Sequence, residues 1–80
     1  MLPDGDGRVR VRANISGEVE IKATLSQLFY SGQCLAVVEG DQEIESLSVR
    51  KPSEVIEICV EDGTEVEAGT TLLVVRELKE

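Results

Sequence analysis

Eighty residues, 41% apolar and 30% charged, make one small globular unit with no room for a second domain or a long disordered tract. Sixteen acids against eight bases give a net charge of −8. This excludes nucleic acid and anionic membrane as partners, because both are bound through clustered Lys and Arg, and points to a protein partner with a basic surface. The chain has no histidine, so Ser-His-acid and Cys-His catalytic units, histidine metal sites and phosphohistidine chemistry are excluded, and no enzyme activity is expected.

In chain order, residues 1–12 are polar and charged, without the apolar stretch of a signal peptide, and no later run is long enough to span a bilayer. A cytoplasmic location is expected. Asp4-Gly5-Asp6-Gly7 looks like the start of a calcium loop, but Arg8 and Val9 stand where further oxygen ligands must follow, so it reads as an acidic terminus. Arg8-Val9-Arg10-Val11-Arg12 alternates strictly and predicts a strand. Val19-Glu20-Ile21-Lys22-Ala23 and Ile56-Glu57-Ile58-Cys59-Val60 alternate in the same way. Leu35-Ala36-Val37-Val38 and Leu72-Leu73-Val74-Val75 are β-branched-rich runs, long enough for strands and too short for helices. Residues 44–49 form a further strand between them, and Gly32, Gly63 and Gly69 mark turns.

Sliding the chain against itself by 37 positions (53 minus 16) aligns seven identities over residues 16–38 without a gap: Ser16/Ser53, Glu20/Glu57, Ile21/Ile58, Gly32/Gly69, Leu35/Leu72, Val37/Val74 and Val38/Val75. Unrelated sequence of that length gives about one or two. The chain is therefore read as one domain over residues 1–80, with a core of about 8–77 and two halves of about 8–39 and 44–76. No segment carries a sustained 3.6-residue apolar stripe, so the fold class is all-β, with two facing sheets or a flattened barrel to protect the strand edges. Val19, Ile21, Leu35, Val37, Leu47, Val49, Ile56, Ile58, Leu72 and Val74 are expected inside, with the glutamates facing water. Phe29 is expected as a core anchor beside Tyr30, the acids of residues 61–67 as a solvated face, and Cys34 and Cys59 as small core residues without a disulfide.

The stretch Glu61-Asp62-Gly63-Thr64-Glu65-Val66-Glu67-Ala68-Gly69-Thr70-Thr71-Leu72 resembles the Glu-x-Gly-Asp-x-Val-x-x-Gly-x-x-Leu turn of the biotinyl and lipoyl attachment domains. Gly32-Gln33-Cys34-Leu35-Ala36-Val37-Val38-Glu39 resembles their first half, and the likeness covers about residues 16–76. The resemblance implies a flattened eight-stranded barrel, a barrel-sandwich hybrid with pseudo-twofold symmetry. In that family the modified lysine projects from a hairpin between the halves, within Glu-Ala-Met-Lys-Met in biotin carboxyl carriers and Glu-Thr-Asp-Lys-Ala in lipoyl domains. Glu39-Gly40-Asp41-Gln42-Glu43 falls on that hairpin without a gap, and Gln42 takes the lysine position.

Ligases join biotin or lipoate to this position by attack of an amine on an acyl-adenylate. A glutamine amide nitrogen is not a nucleophile and its stem is shorter. Lys22, Lys51 and Lys79 lie away from the turn. No cofactor is therefore expected, and the chain reads as a non-catalytic biotinyl/lipoyl-like domain acting as a protein-interaction module. Its site residues are Gln42 and the flanking Glu39, Gly40, Asp41 and Glu43. The alternative is a swinging-arm carrier subunit of a carboxylase or 2-oxo-acid dehydrogenase system in which Gln42 replaces the lysine, with biotin or lipoate accepted after Gln42→Lys. Exposed strand edges also permit a homo-oligomer.

Overall fold

The structure is a computed structural model and describes residues 7–78. The reading of residues 4–6 as part of an acidic terminus lies outside the described residues, as does Lys79. Eight strands follow in order: β1 Arg8–Arg12, β2 Gly17–Ile21, β3 Leu28–Phe29, β4 Cys34–Glu39, β5 Ile44–Ser48, β6 Ser53–Ile58, β7 Glu65–Val66 and β8 Thr71–Glu77. They form two four-stranded sheets, β1-β8-β6-β3 and β5-β4-β2-β7, with every pair antiparallel. The ladders do not close into one continuous barrel. The fold is an all-β barrel-sandwich, and among the described residues no helix is long and apolar enough to cross a membrane.

Two pairs of turn residues 37 positions apart share a left-handed backbone conformation. Gly32 and Gly69 turn the chain at φ 88° and 95°, and Ser26 and Gly63 do so at 68° and 87°. The Ser26 N–H donates to the Val55 carbonyl and the Gly63 N–H to the Val19 carbonyl, both at 2.8 Å. Ser26 carries the side chain that its counterpart lacks, in a region where only glycine is free of steric cost.

The core divides into two clusters. One gathers Phe29, Leu35, Val49, Val55, Leu73 and Val75, with Ala23; the other gathers Val19, Val38, Val66 and Leu72 with Ala13 and Ala36. Ile21 packs against both. Phe29 is the expected anchor, and Tyr30 beside it is exposed.

Five expected core positions are only half-buried, and two bulges account for three of them. A bulge between Val55 and Glu57 inserts Ile56 into β6 as an extra residue. Val55 is thereby fully buried, and Ile56 and Ile58 are only half-buried. The ungapped slide set Ile56 against Val19, but Val55 makes the backbone bonds that Val19 makes in the other half: the Val55 N–H donates to Gln27 at 3.0 Å and the Val19 N–H to Thr64 at 2.9 Å. A second bulge between Cys34 and Ala36 makes Leu35 the extra residue of β4. Leu35, Ala36 and Val38 are then fully buried, whereas Val37 lies half-buried opposite Glu20. Leu47 and Ile21 are half-buried at the cluster margins.

The cysteines also differ from expectation. Cys34 is half-buried and Cys59 is exposed, because β6 ends at Ile58 and Cys59 begins the loop that follows. Both thiols are free.

Candidate functional site

β4 and β5 are antiparallel neighbours in register from Cys34↔Ser48 to Glu39↔Ile44, which leaves residues 40–43 to turn the chain. The Gly40 N–H donates to the Glu43 carbonyl at 2.8 Å and closes the hairpin. Neither Asp41 nor Gln42 takes a positive φ, so the turn is not of the type I′ kind that demands Asn-Gly. Gln42 is exposed at the tip between the exposed Asp41 and Glu43, and its amide makes no hydrogen bond to the described residues.

The hairpin is seated on the loop that precedes β2. A Cβ on Gly17 would stand 2.3 Å from the Glu39 carbonyl oxygen and 2.8 Å from the Gly40 nitrogen, and one on Gly40 would stand 2.9 Å from the Ser16 carbonyl oxygen. Only two glycines allow backbones to approach this closely. The Ser16 hydroxyl accepts from the Ala68 N–H at 3.1 Å, tying the β7 segment to the same seat. On the other flank, the Asn14 N–H donates to the Glu45 carboxylate at 2.9 Å and the Asn14 side-chain amide donates to its second oxygen. The tip is thus held at its base from both sides, while its own side chains stand free.

The electrostatics around this seat come from pairing across three strands. Glu18 on β2 is directly opposite Glu39 on β4 and also directly opposite Glu65 on β7. Directly opposed residues share a face, so three glutamates form a row across the outside of the sheet, ending at the exposed Ile44 on β5. Glu18, Glu39 and Glu65 join Asp41 and Glu67 in lining an open depression of about 870 Å³ against the Ser16-Gly17 backbone. Like charges directly opposite are destabilising, by roughly 0.2–1 kcal/mol per pair. None of these acids has a cation within 4 Å among the described residues, where the Lys22–Glu20 pair at 3.2 Å is exposed and lies at the far end of β2 and just beyond it. No group of three or more His, Cys, Asp or Glu among the described residues is arranged to hold a metal ion.

The structure therefore brings Glu39, Gly40, Asp41, Gln42 and Glu43 together in one turn and adds neighbours that sequence reasoning missed. Gly17, Glu18 and Glu65 belong to the site only through pairing of β2 with β4 and β7. The acids of residues 61–67 divide accordingly: Glu65 and Glu67 face the depression, whereas the Asp62 carboxylate accepts from the Ile21 N–H at 2.8 Å. Away from the site, Cys59 lies near Glu57 and Arg10. Partial burial, helped by the Glu57 carboxylate, pushes its thiol up, against the lowering pull of the Arg10 guanidinium.

Two four-stranded antiparallel sheets with an exposed β4–β5 hairpin make a barrel-sandwich fold. A family model described as biotin-requiring enzyme matches residues 10–75, and the chain belongs to this biotin/lipoyl family. It is similar in fold to a single-chain, multi-domain long-chain acyl-CoA carboxylase, with a TM-score of 0.83 and 24% identity over 100% of this chain and 8% of that one. It is similar also to the urea carboxylase of Kluyveromyces lactis, with a TM-score of 0.75 and 20% identity over 94% of this chain and 6% of that one. The chain thus spans less than a tenth of the length of either carboxylase. No curated protein sequence matches it.

Proposed function

We propose that the chain is a non-catalytic biotin/lipoyl-type domain that takes no cofactor and acts as a protein-interaction module, presenting its hairpin tip and glutamate row to a basic protein surface. The observation that carries this reading is the side chain at the tip. Gln42 stands where the family's hairpin offers an amine, and its carboxamide has no nucleophilic nitrogen, so the residues present do not fit covalent biotin or lipoate. Lys22 is ion-paired with Glu20, and Lys51 follows β5 away from the turn. The unpaired row Glu39, Glu18 and Glu65 supports a basic partner, because a cationic surface relieves the repulsion that the fold by itself retains.

A second reading is favoured by the likeness to two carboxylases and by the close seating of the hairpin on Gly17: a carrier subunit whose lysine has been replaced. Co-expression of Gln42→Lys with biotin and lipoate ligases separates the two. Robust modification of the variant favours a lost carrier role. An unmodified variant with an intact fold favours a hairpin that serves recognition alone. Modification of the unaltered chain by either ligase overturns the leading proposal.

A further inference from the structure

The two halves carry corresponding loops, residues 23–33 and residues 60–70, held by equivalent hydrogen bonds from Ser26 to Val55 and from Gly63 to Val19. Their chemistry is opposite. The second loop carries Glu61, Asp62, Glu65 and Glu67, whereas the first has no charged side chain in a chain that is 30% charged. At the places of Asp62, Glu65 and Glu67, each 37 positions on, it sets Leu25, Leu28 and Tyr30. These are 60%, 47% and 56% exposed, so large apolar groups stand in water at positions where the fold accepts carboxylates. Leu28 lies on β3, whose outer edge is unpaired in the sheet order β1-β8-β6-β3.

We propose that this β3 edge is a self-association surface on which a second copy of the chain docks through Leu25, Leu28 and Tyr30 across a twofold axis. Charge selects this occupant. Among the described residues four strands stand at the ends of the two sheet orders: β1, β3, β5 and β7. Two copies meeting through β1 oppose Arg10 and Arg12 to the same two residues, through β5 they oppose Glu45 and the adjoining Glu43, and through β7 they oppose Glu65 and the adjoining Glu67. Each of those contacts sets like charge against like charge, the device by which natural edges resist self-pairing. The β3 edge meets itself without that cost.

Its border carries both signs, as a self-complementary twofold contact requires. Arg50 and Lys51 follow Val49, whose carbonyl accepts from the Gly32 N–H at 3.0 Å, and Glu54 is directly opposite Leu28. Three half-exposed side chains bury less than the ~800 Å² per partner of a standard stable interface, so the dimer is weak, with a dissociation constant of about 0.1–1 mM. Salt strengthens it, because screening weakens repulsion between two copies of charge −8 while the contact itself is apolar. The surface lies in the other sheet from the Gln42 turn, so the inference stands apart from the proposed function.

Sedimentation equilibrium of the unaltered chain over about 0.01–1 mM is the test, spanning that range of dissociation constant. The expected result is a monomer–dimer equilibrium that tightens with sodium chloride. Leu28→Glu and Tyr30→Glu each weaken it by about tenfold or more, the effect of losing an interface anchor. Ile44→Glu, on the β5 edge, leaves it unchanged. Circular dichroism confirms that each variant is folded. Amide shifts that change with concentration are expected in residues 24–33. A chain that remains monomeric throughout overturns the proposal, as does association that persists in Leu28→Glu or moves the shifts of β1, β5 or β7 instead.

Discussion

Gly17 and Gly40 touch backbone to backbone, and a Cβ added to Gly17 would come within 2.8 Å of the Gly40 nitrogen and 2.3 Å of the carbonyl oxygen before it. These neighbours are backbone atoms that cannot swing aside. Gly17→Ala is expected to destabilise the fold by about 1–3 kcal/mol, the usual cost of overpacking, read as a lower urea midpoint with an unchanged slope. Because the strain falls on the hairpin, the amide resonances of Asp41 and Gln42 should shift more than those of β6 and β8. An unchanged midpoint would show that the seat is loose.

Glu18 stands between two like charges, Glu39 and Glu65. Glu18→Lys replaces two repulsions by two attractions and should raise stability by roughly 0.5–2 kcal/mol at low salt. Thermal unfolding measures it. The gain should shrink in sodium chloride of about 1 M, where the Debye length is about 3 Å. The unaltered chain should itself become more stable over the same salt range.

Leu35 and Leu72 are 37 positions apart, both fully buried, and lie in opposite core clusters. Leu35→Ala and Leu72→Ala are each expected to cost about 2–5 kcal/mol by leaving a cavity. Ile56→Ala, at the bulge, should cost about 1 kcal/mol. Chemical denaturation of the three variants checks the order, and a cost at Ile56 equal to that at Leu72 would contradict the bulged register of β6.

Cys59 is exposed, yet its thiol is pushed up by partial burial and by Glu57. Below the raised value less of it is thiolate, and the thiolate is the nucleophile, so alkylation by iodoacetamide near neutral pH should be slower than for a free cysteine. Glu57→Gln removes a negative neighbour and should move the alkylation profile to lower pH. Arg10→Gln removes the opposing cation and should move it to higher pH.

Strand positions were legible wherever alternation or β-branching ran for four residues or more, and the turn after Glu39 was expected from the resemblance to the family's hairpin. β3 and β7 were not, since two residues carry no period. The inward set was misread at Ile56 and Val37, because a bulge inserts one residue and reverses the alternation without altering the sequence pattern on either side. The glutamate row escaped for a different reason. Glu18, Glu39 and Glu65 are far apart in the chain, and only the register of three strands sets them side by side. Cys59 was misplaced because free cysteine is usually a small buried residue, whereas this one begins the exposed loop after Ile58.

The central claim is that the tip residue takes no cofactor, and intact-mass spectrometry of the unaltered chain co-expressed with biotin and lipoate ligases tests it most directly. The predicted result is the mass of the bare polypeptide, with Gln42→Lys measured alongside to report what the same hairpin accepts once it bears an amine. A mass increase on the unaltered chain equal to a biotinyl or lipoyl group would contradict the claim.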